Sequence, residues 1–499
     1  MHKKYLQPNG IVFFHFIFFS NNPSFEFSFT GMTKAFFPCI LQVFSCLVFA
    51  QQPVTSNKMF SMGTYGRTGV GYGVGIQGQF PRSLNLNGMG SIGGRFEESD
   101  YMELLTAMHF TPVSGKKDTT DINVQARLAF YTGQGQFIGN VTNRSAAGIT
   151  ASLPELFAEA KNIKGSDWSV WIGARFWRGD DIHIADHFYF DDHGSQGFGV
   201  KKKNTHFGVI FTESLDTNST LPPYYYNVIV NGTPILALRN RTVSILEHTI
   251  KTKHNGYVKL LGEFHRLADA SSADTSVELS YPADNGWAIG LKYMVPLKTR
   301  LPGSFNAASI RYGRGIANGG DGGSSRTWLT YGGPDIETQK FKNAYSIAFT
   351  ETFLLNLSKD YSLNGYGIFT KSRGASDSLN KTPDFLGETM LFNRKTDIAF
   401  GARGTWYIKD WLHLLHELDF SWRKDGTQDF AQMGKISIAP TLVPVGGRSV
   451  WSRPHFRLVY SLAHYNKFAS ENLYSPFLAQ SGSTRWGQYL GVKAEWWIF

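Results

Sequence analysis

Hydrophobicity in this 499-residue chain switches on and off with every residue along runs of about ten. Near the end, Leu490, Val492, Ala494, Trp496 and Ile498 share one parity, while Tyr489, Gly491, Lys493, Glu495 and Trp497 share the other. Phe456, Leu458, Tyr460 and Leu462 alternate in the same way with Arg453, His455, Arg457 and Ser461. So do Met102, Leu104, Thr106 and Met108 with Tyr101 and Glu103. Successive side chains of an extended strand point to opposite faces, so each run predicts a strand with one apolar and one polar face. A soluble sandwich buries the apolar face against a second sheet, whereas a membrane barrel turns it to lipid, and period alone does not choose between them. Composition narrows the field. With 15% aromatic and only 18% charged residues the chain is not a disordered one, and the body holds no run of about 20 apolar residues to make a membrane-spanning helix.

Three features select the barrel. Runs of about ten residues suit a strand that crosses hydrocarbon at a tilt. Connections alternate in length: Lys409-Asp410 joins run 397–408 to run 411–422 almost directly, while the Gly/Asn/Ser-rich stretches 132–152 and 314–326 are long. The chain also closes on an aromatic strand, Trp496-Trp497-Ile498-Phe499. These features predict an all-β, transmembrane antiparallel barrel in the outer membrane of a Gram-negative-type cell, with lipid as a partner. No internal repeat or linker divides it.

The first fifty residues read as processing signal. From Met32 the order is Met-Thr-Lys, then an apolar stretch from Ala35 to Ala50, with Val48-Phe49-Ala50 as a small-residue cleavage site. Residues 1–31 read as an upstream extension, and 51–499 as one barrel domain. Both cysteines, Cys39 and Cys46, fall inside the signal, so the mature chain is expected to have no disulfide, thiol nucleophile or cysteine metal site. The formal charge of +10 comes from scattered bases, and the run Lys201-Lys202-Lys203 reads as a solvated turn, so no nucleic-acid partner is expected.

Particular residues resemble the maltoporin family of sugar-specific outer-membrane channels. Residues 63–71, Gly-Thr-Tyr-Gly-Arg-Thr-Gly-Val-Gly, are similar to the family's first strand, and Tyr101-Met102-Glu103-Leu104 to its second. Gly173, Arg175, Phe176, Asp181, His183, Asp186 and Tyr189 look like the region of its inward-folded third loop. Gly303-Ser304-Phe305-Asn306, Trp451-Ser452-Arg453-Pro454 and Glu495 with Trp497 complete the series, in the family's order. The resemblance implies an 18-stranded barrel with long outer loops, assembled as a homotrimer, through which oligosaccharides pass by facilitated diffusion without cofactor or catalysis. About 25 residues per strand and connection suit that count.

The resemblance also implies a row of stacking aromatics, Tyr65, Tyr101, Phe305, Trp451 and Trp497. Facing them it implies a polar track and constriction made of Arg67, Glu103, Asp181, His183, Asp186 and Phe188. Such an arrangement has a physical basis: pyranose C–H faces stack on aromatic rings while the hydroxyl rim exchanges hydrogen bonds with charged groups. Each contact must stay near 1 kcal/mol for the sugar to step onward. Parity offers a second line, since Trp497 shares the face of Lys493 and Glu495, Trp451 that of Arg453 and His455, Tyr101 that of Glu103, and Tyr65 that of Arg67. Trp496 and Tyr460, on the apolar parity, read as interfacial girdle residues.

The chain departs from the family's pattern at several points. Phe137 is the one aromatic between Thr132 and Leu156, Ala158 and Gly179 stand where the family has arginines, and Phe188 stands in place of a pore-narrowing tyrosine. Asp180, Asp181, His183, Asp186, Asp191 and His193 also permit a divalent-cation site, although no tetrahedral spacing marks one. Two other functions stay open: a non-specific porin, and a secreted β-sandwich glycosidase using carboxylate pairs such as Asp180 with Asp191 or Glu97 with Glu98.

Overall fold

A computed structural model describes residues 55–56, 59–76, 83–110, 119–132, 149–212, 225–230, 233–238, 241–271, 280–299, 301–319, 327–335, 337–377, 381–383 and 390–498. The chain divides into Met1–Val48, outside the described residues, and a second unit, Phe49–Phe499, that holds the fold. The expected start at Met32, the cleavage after Ala50 and Phe137 likewise lie outside the described residues.

Eighteen strands span the barrel. The first six are β1 Phe60–Gly73, β2 Tyr101–Phe110, β3 Asp121–Thr132, β4 Ile149–Lys161, β5 Trp168–Arg175 and β6 Ser195–Lys202. They continue as β7 Thr205–Thr212, β8 Arg241–Lys251, β9 Tyr257–Leu267, β10 Asp284–Pro296, β11 Phe305–Gly315 and β12 Tyr345–Ser358. The last six are β13 Tyr361–Arg373, β14 Arg394–Lys409, β15 Leu412–Asp425, β16 Ala431–Leu442, β17 His455–Tyr465 and β18 Trp486–Ile498. Each strand pairs antiparallel with the next, and β18 returns to β1 from Thr64↔Ile498 to Gly73↔Tyr489. Closure gives each of these eighteen strands a neighbour on both sides, which hydrocarbon demands because it offers no water to an exposed N–H or C=O.

The faces follow the sequence period. On β18, Val492 and Ile498 are exposed while Lys493 and Glu495 are buried; on β17, Phe456, Leu458 and Tyr460 are exposed while His455, Arg457 and Ser461 are buried. The apolar band therefore faces outward and the charged one fills the lumen, the reverse of a soluble protein. Trp496 lies flat on the outer surface of the neighbouring strand, where a Cβ at Gly66 would collide with the indole; only glycine permits that approach. Connections on one side include the shortest, such as Lys203-Asn204 and Asp410-Trp411, and most of those on the other are long, the five-residue link 426–430 being an exception. Lys201 and Lys202 end β6 and Lys203 begins the turn, all three exposed.

Two long connections enter the barrel. Residues 83–100, after β1, bury Leu84, Leu86, Met89, Ile92 and Phe96, and are tied to the wall by Lys435, whose ammonium donates to Asn85 Oδ1 at 2.8 Å and to Glu97 at 2.7 Å. Residues 176–194, the third loop, form a small hairpin in which Asp181–Ile182 pairs with His187–Phe188 around the 3₁₀ turn His183–Ala185. Ile182, Ile184, Tyr189 and Phe190 are buried, and Asp186 closes the turn in the left-handed region at φ 43°.

Candidate lumenal constriction

The third loop bridges the lumen between two walls. At one root, Asp180 binds Lys292 of β10 and accepts from Tyr257 of β9 at 2.8 Å. Asp191 accepts from Lys259 of β9 at 2.6 Å, and His193 meets Glu263 of β9 at 2.7 Å. Glu263 is the centre of this anchor, since it also bonds His265 at 2.8 Å and Arg311 of β11 at 2.7 Å, all four groups being buried.

The tip of the loop reaches the wall made by β18, β1 and β2. Arg67 places its guanidinium 3.3 Å from Asp186, 3.1 Å from Glu98 and 3.2 Å from the Tyr65 hydroxyl, and donates to the Ser99 carbonyl. Arg95, from the first inward loop, donates to the Tyr65 hydroxyl at 2.8 Å, to Glu98 at 2.9 Å and to the His183 carbonyl at 3.0 Å. Three guanidiniums converge on Glu495: Arg453 at 3.0 Å, Arg95 at 3.4 Å and Arg457.

Aromatic rings occupy the same wall in two pairs. Tyr65 and Tyr101 lie 6.0 Å apart, Trp451 and Trp497 6.3 Å apart, and register sets Tyr65 opposite Trp497 across β1 and β18. His183 sits 5.5 Å from both indoles, and the Arg453 guanidinium lies 3.9 Å over Trp497. Phe305 is on the lumenal parity of β11 at its turn end, and no ring contact joins it to these pairs among the described residues.

Charge at the loop tip is set by burial and by these neighbours. Burial favours the neutral forms, yet Arg95 and Arg67 hold the Asp186 carboxyl well below its usual range. At Asp181 burial, reinforced by Asp186 and Asp180, outweighs the pull of Arg95 and pushes the carboxyl up to about 7. Burial, with Arg95 and Arg453 nearby, keeps the His183 imidazole neutral.

Tyr65, Arg67, His183, Asp186, Trp451 and Trp497 are thus brought together, with Asp181 beside them, its carboxylate 4.0 Å from His183. Glu103 belongs to a separate ladder: it accepts from the Tyr101 hydroxyl and from Arg127, which bonds Glu155 at 2.6 Å. Phe188 lies under the Arg178 guanidinium at 4.1 Å. Trp451 corrects a parity argument, because it stands in the turn 443–454 and not on β17; its place comes from that turn's packing. The acidic side chains that permitted a cation site are engaged otherwise, Asp180, Asp186 and Asp191 each by a Lys or Arg. Among the described residues no His/Cys/Asp/Glu group is arranged to hold a metal. Sequence reading missed Arg95 and Glu98 as partners of the cluster, and nothing in the local pattern of an irregular loop marks them. Arg453, His455 and Arg457, three bases on alternate positions of an inward face, were a usable signal.

A closed barrel with an apolar exterior, a charged lumen and a loop folded across it defines an outer-membrane porin. The chain belongs to the LamB porin family, which it matches over residues 60–497. It is 21% identical over 442 residues to Maltoporin 1 of Klebsiella pneumoniae subsp. pneumoniae, covering 85% of this chain and 91% of that protein. Among solved structures it is similar to OccAB2 of Acinetobacter baumannii, at TM-score 0.43, 10% identity and coverage of 89% and 100% of the two chains. It is also similar to the outer membrane channel DcaP of Acinetobacter baumannii, at TM-score 0.38, 12% identity and coverage of 89% and 99%.

Proposed function

We propose that this porin passes oligosaccharides of the maltodextrin type by facilitated diffusion, and that it is a channel, not an enzyme. The observation that carries the reading is the coincidence, on one wall, of two aromatic pairs with a dense set of guanidinium and carboxylate groups. Stacking surface beside hydrogen-bonding groups suits the two chemistries of a pyranose, its C–H faces and its hydroxyl rim. In this reading Trp451, Trp497, Tyr65 and Tyr101 supply the stacking, with Phe305 further along the lumen. Arg67, Asp181, His183, Asp186 and Phe188 line the narrowest passage, and Glu103 orients Tyr101. The name of the Klebsiella relative agrees with a maltose-type substrate.

The working protein is a homotrimer whose signal segment, from Met32 to Ala50, is removed on export. Planar-bilayer conductance of the purified porin tests the reading: linear glucose oligomers should reduce the current in a saturable way, and monosaccharides less. A current indifferent to every sugar makes the protein a non-specific porin. An SDS-resistant oligomer that dissociates on heating tests the trimer.

A further inference from the structure

Beside Trp451 and His183 the wall holds a cavity with room for a water or two but not for a whole pyranose. Its lining is basic. Arg403, Arg453, His183, His413 and His455 contribute two guanidiniums and three imidazoles, and among the described residues no carboxylate lines it. The acids that pair with these arginines lie outside the lining: Glu417 accepts from Arg403 Nε at 2.5 Å, and Glu495 is shared by Arg453 and Arg457 as well as Arg95, so the two carboxylates face three guanidiniums besides Arg95. Arg403 is buried against Phe96, its guanidinium 4.3 Å from the ring, and its Nη2 has no hydrogen-bond partner. Asn364 Oδ1, also buried in the lining, is an acceptor without a donor. A buried guanidinium nitrogen and a buried amide oxygen, both unsatisfied, carry a cost that a matching ligand would remove.

We propose that this chamber receives the carboxylate of an acidic sugar whose ring stacks at Trp451, so that the porin favours uronate-containing oligosaccharides over neutral ones. The proposal rests on the sugar-channel reading and extends it to substrate class. A carboxylate is of the right size for the cavity and matches the planar guanidinium edge, and in the non-reducing terminal uronate the free hydroxyl on the adjacent ring carbon supplies the donor that Asn364 lacks. A phosphate substituent offers the same charge, and the experiment separates the two.

The test measures block of the bilayer current by trigalacturonate, by its uncharged methyl ester and by a glucose trimer with a terminal phosphate. Trigalacturonate should block about tenfold more tightly than its ester, as expected for a charge-assisted contact. Arg403→Gln should remove most of that ratio. Because this change strands the buried Glu417, the double variant Arg403→Gln/Glu417→Gln is measured beside it, and the wild-type ratio needs no variant at all. Equal block by acid and ester overturns the chamber and leaves the neutral sugar channel standing, whereas no block by any sugar overturns both. Tight block by the phosphate alone overturns the carboxylate assignment, and an acid preference that survives in the double variant overturns the assignment to Arg403.

Discussion

The two walls that hold the third loop use similar residues to different ends. At the β8 to β11 wall the anchor is sealed: the side chains of His193, Glu263 and His265 are 0% exposed and that of Arg311 is 2% exposed. At the β18, β1 and β2 wall the Glu495 cluster is buried too, but the contact made by the loop tip itself stays partly open, with the Arg67 side chain 19% and Asp186 27% exposed, and aromatic rings stand beside it. Charges removed from water must be fully matched, which makes the first wall a fixed attachment. Charges left in reach of water can exchange partners at little cost, which suits a surface that a passing solute must contact and leave.

Removing the central acceptor of the sealed wall gives the largest expected effect. Glu263→Ala leaves Arg311 and two imidazoles buried without their acceptor and should cost about 3–5 kcal/mol. The heat-dependent unfolding of the barrel should fall accordingly and the ion conductance should rise as the loop loses its root. Arg67→Gln at the partly open loop tip should cost less than Glu263→Ala, because water can reach the groups it leaves behind. Equal losses from the two changes would erase the distinction between the walls.

Next in size is the aromatic pair. Trp497→Ala should weaken block by a linear glucose oligomer about five- to tenfold, roughly 1 kcal/mol, with conductance equal or higher. Trp496→Ala, whose indole lies on the outer face, should leave block unaltered and lower only barrel stability. If Trp496→Ala loses as much affinity, the facing of the last strand is wrong.

Proton uptake at the loop tip should alter the current more gently. A carboxyl whose folded-state pKa is raised to about 7 is neutral below that pH. Beside an unfolded-state carboxyl near 4, Asp181 adds no cost to the folded state in strong acid; the cost grows as pH rises from about 4 and is complete by about 7. The same ionisation should shift the pore toward cation selectivity between about pH 6 and 8, read as a change in reversal potential across a salt gradient. Asp181→Asn should abolish the shift, and a wild-type profile flat over that range would return Asp181 to an ordinary solvated acid.

The smallest change concerns Phe188, packed under Arg178. Phe188→Tyr keeps that ring contact and adds one hydroxyl, so folding should be unchanged while sugar residence time, taken from current noise, lengthens or shortens. Identical noise for every sugar would place Phe188 outside the passage.

Legibility in the sequence followed locality. A period of two is a property of neighbouring residues, so the strands, their facing and the barrel were readable: lipid outside and water inside impose opposite polarity on alternate positions. Tyr65, Arg67, Glu495 and Trp497 inherit their common face from that rule. The loops obey no period. Arg95 and Glu98 reach the cluster because residues 83–100 fold back under Lys435, and Trp451 stands against Trp497 because of the turn it occupies. The split between a sealed and an open wall, and the pairing of each acid with one particular cation, depend on distances between residues far apart in the chain. Those distances exist only once the barrel has closed and the third loop has been drawn across it.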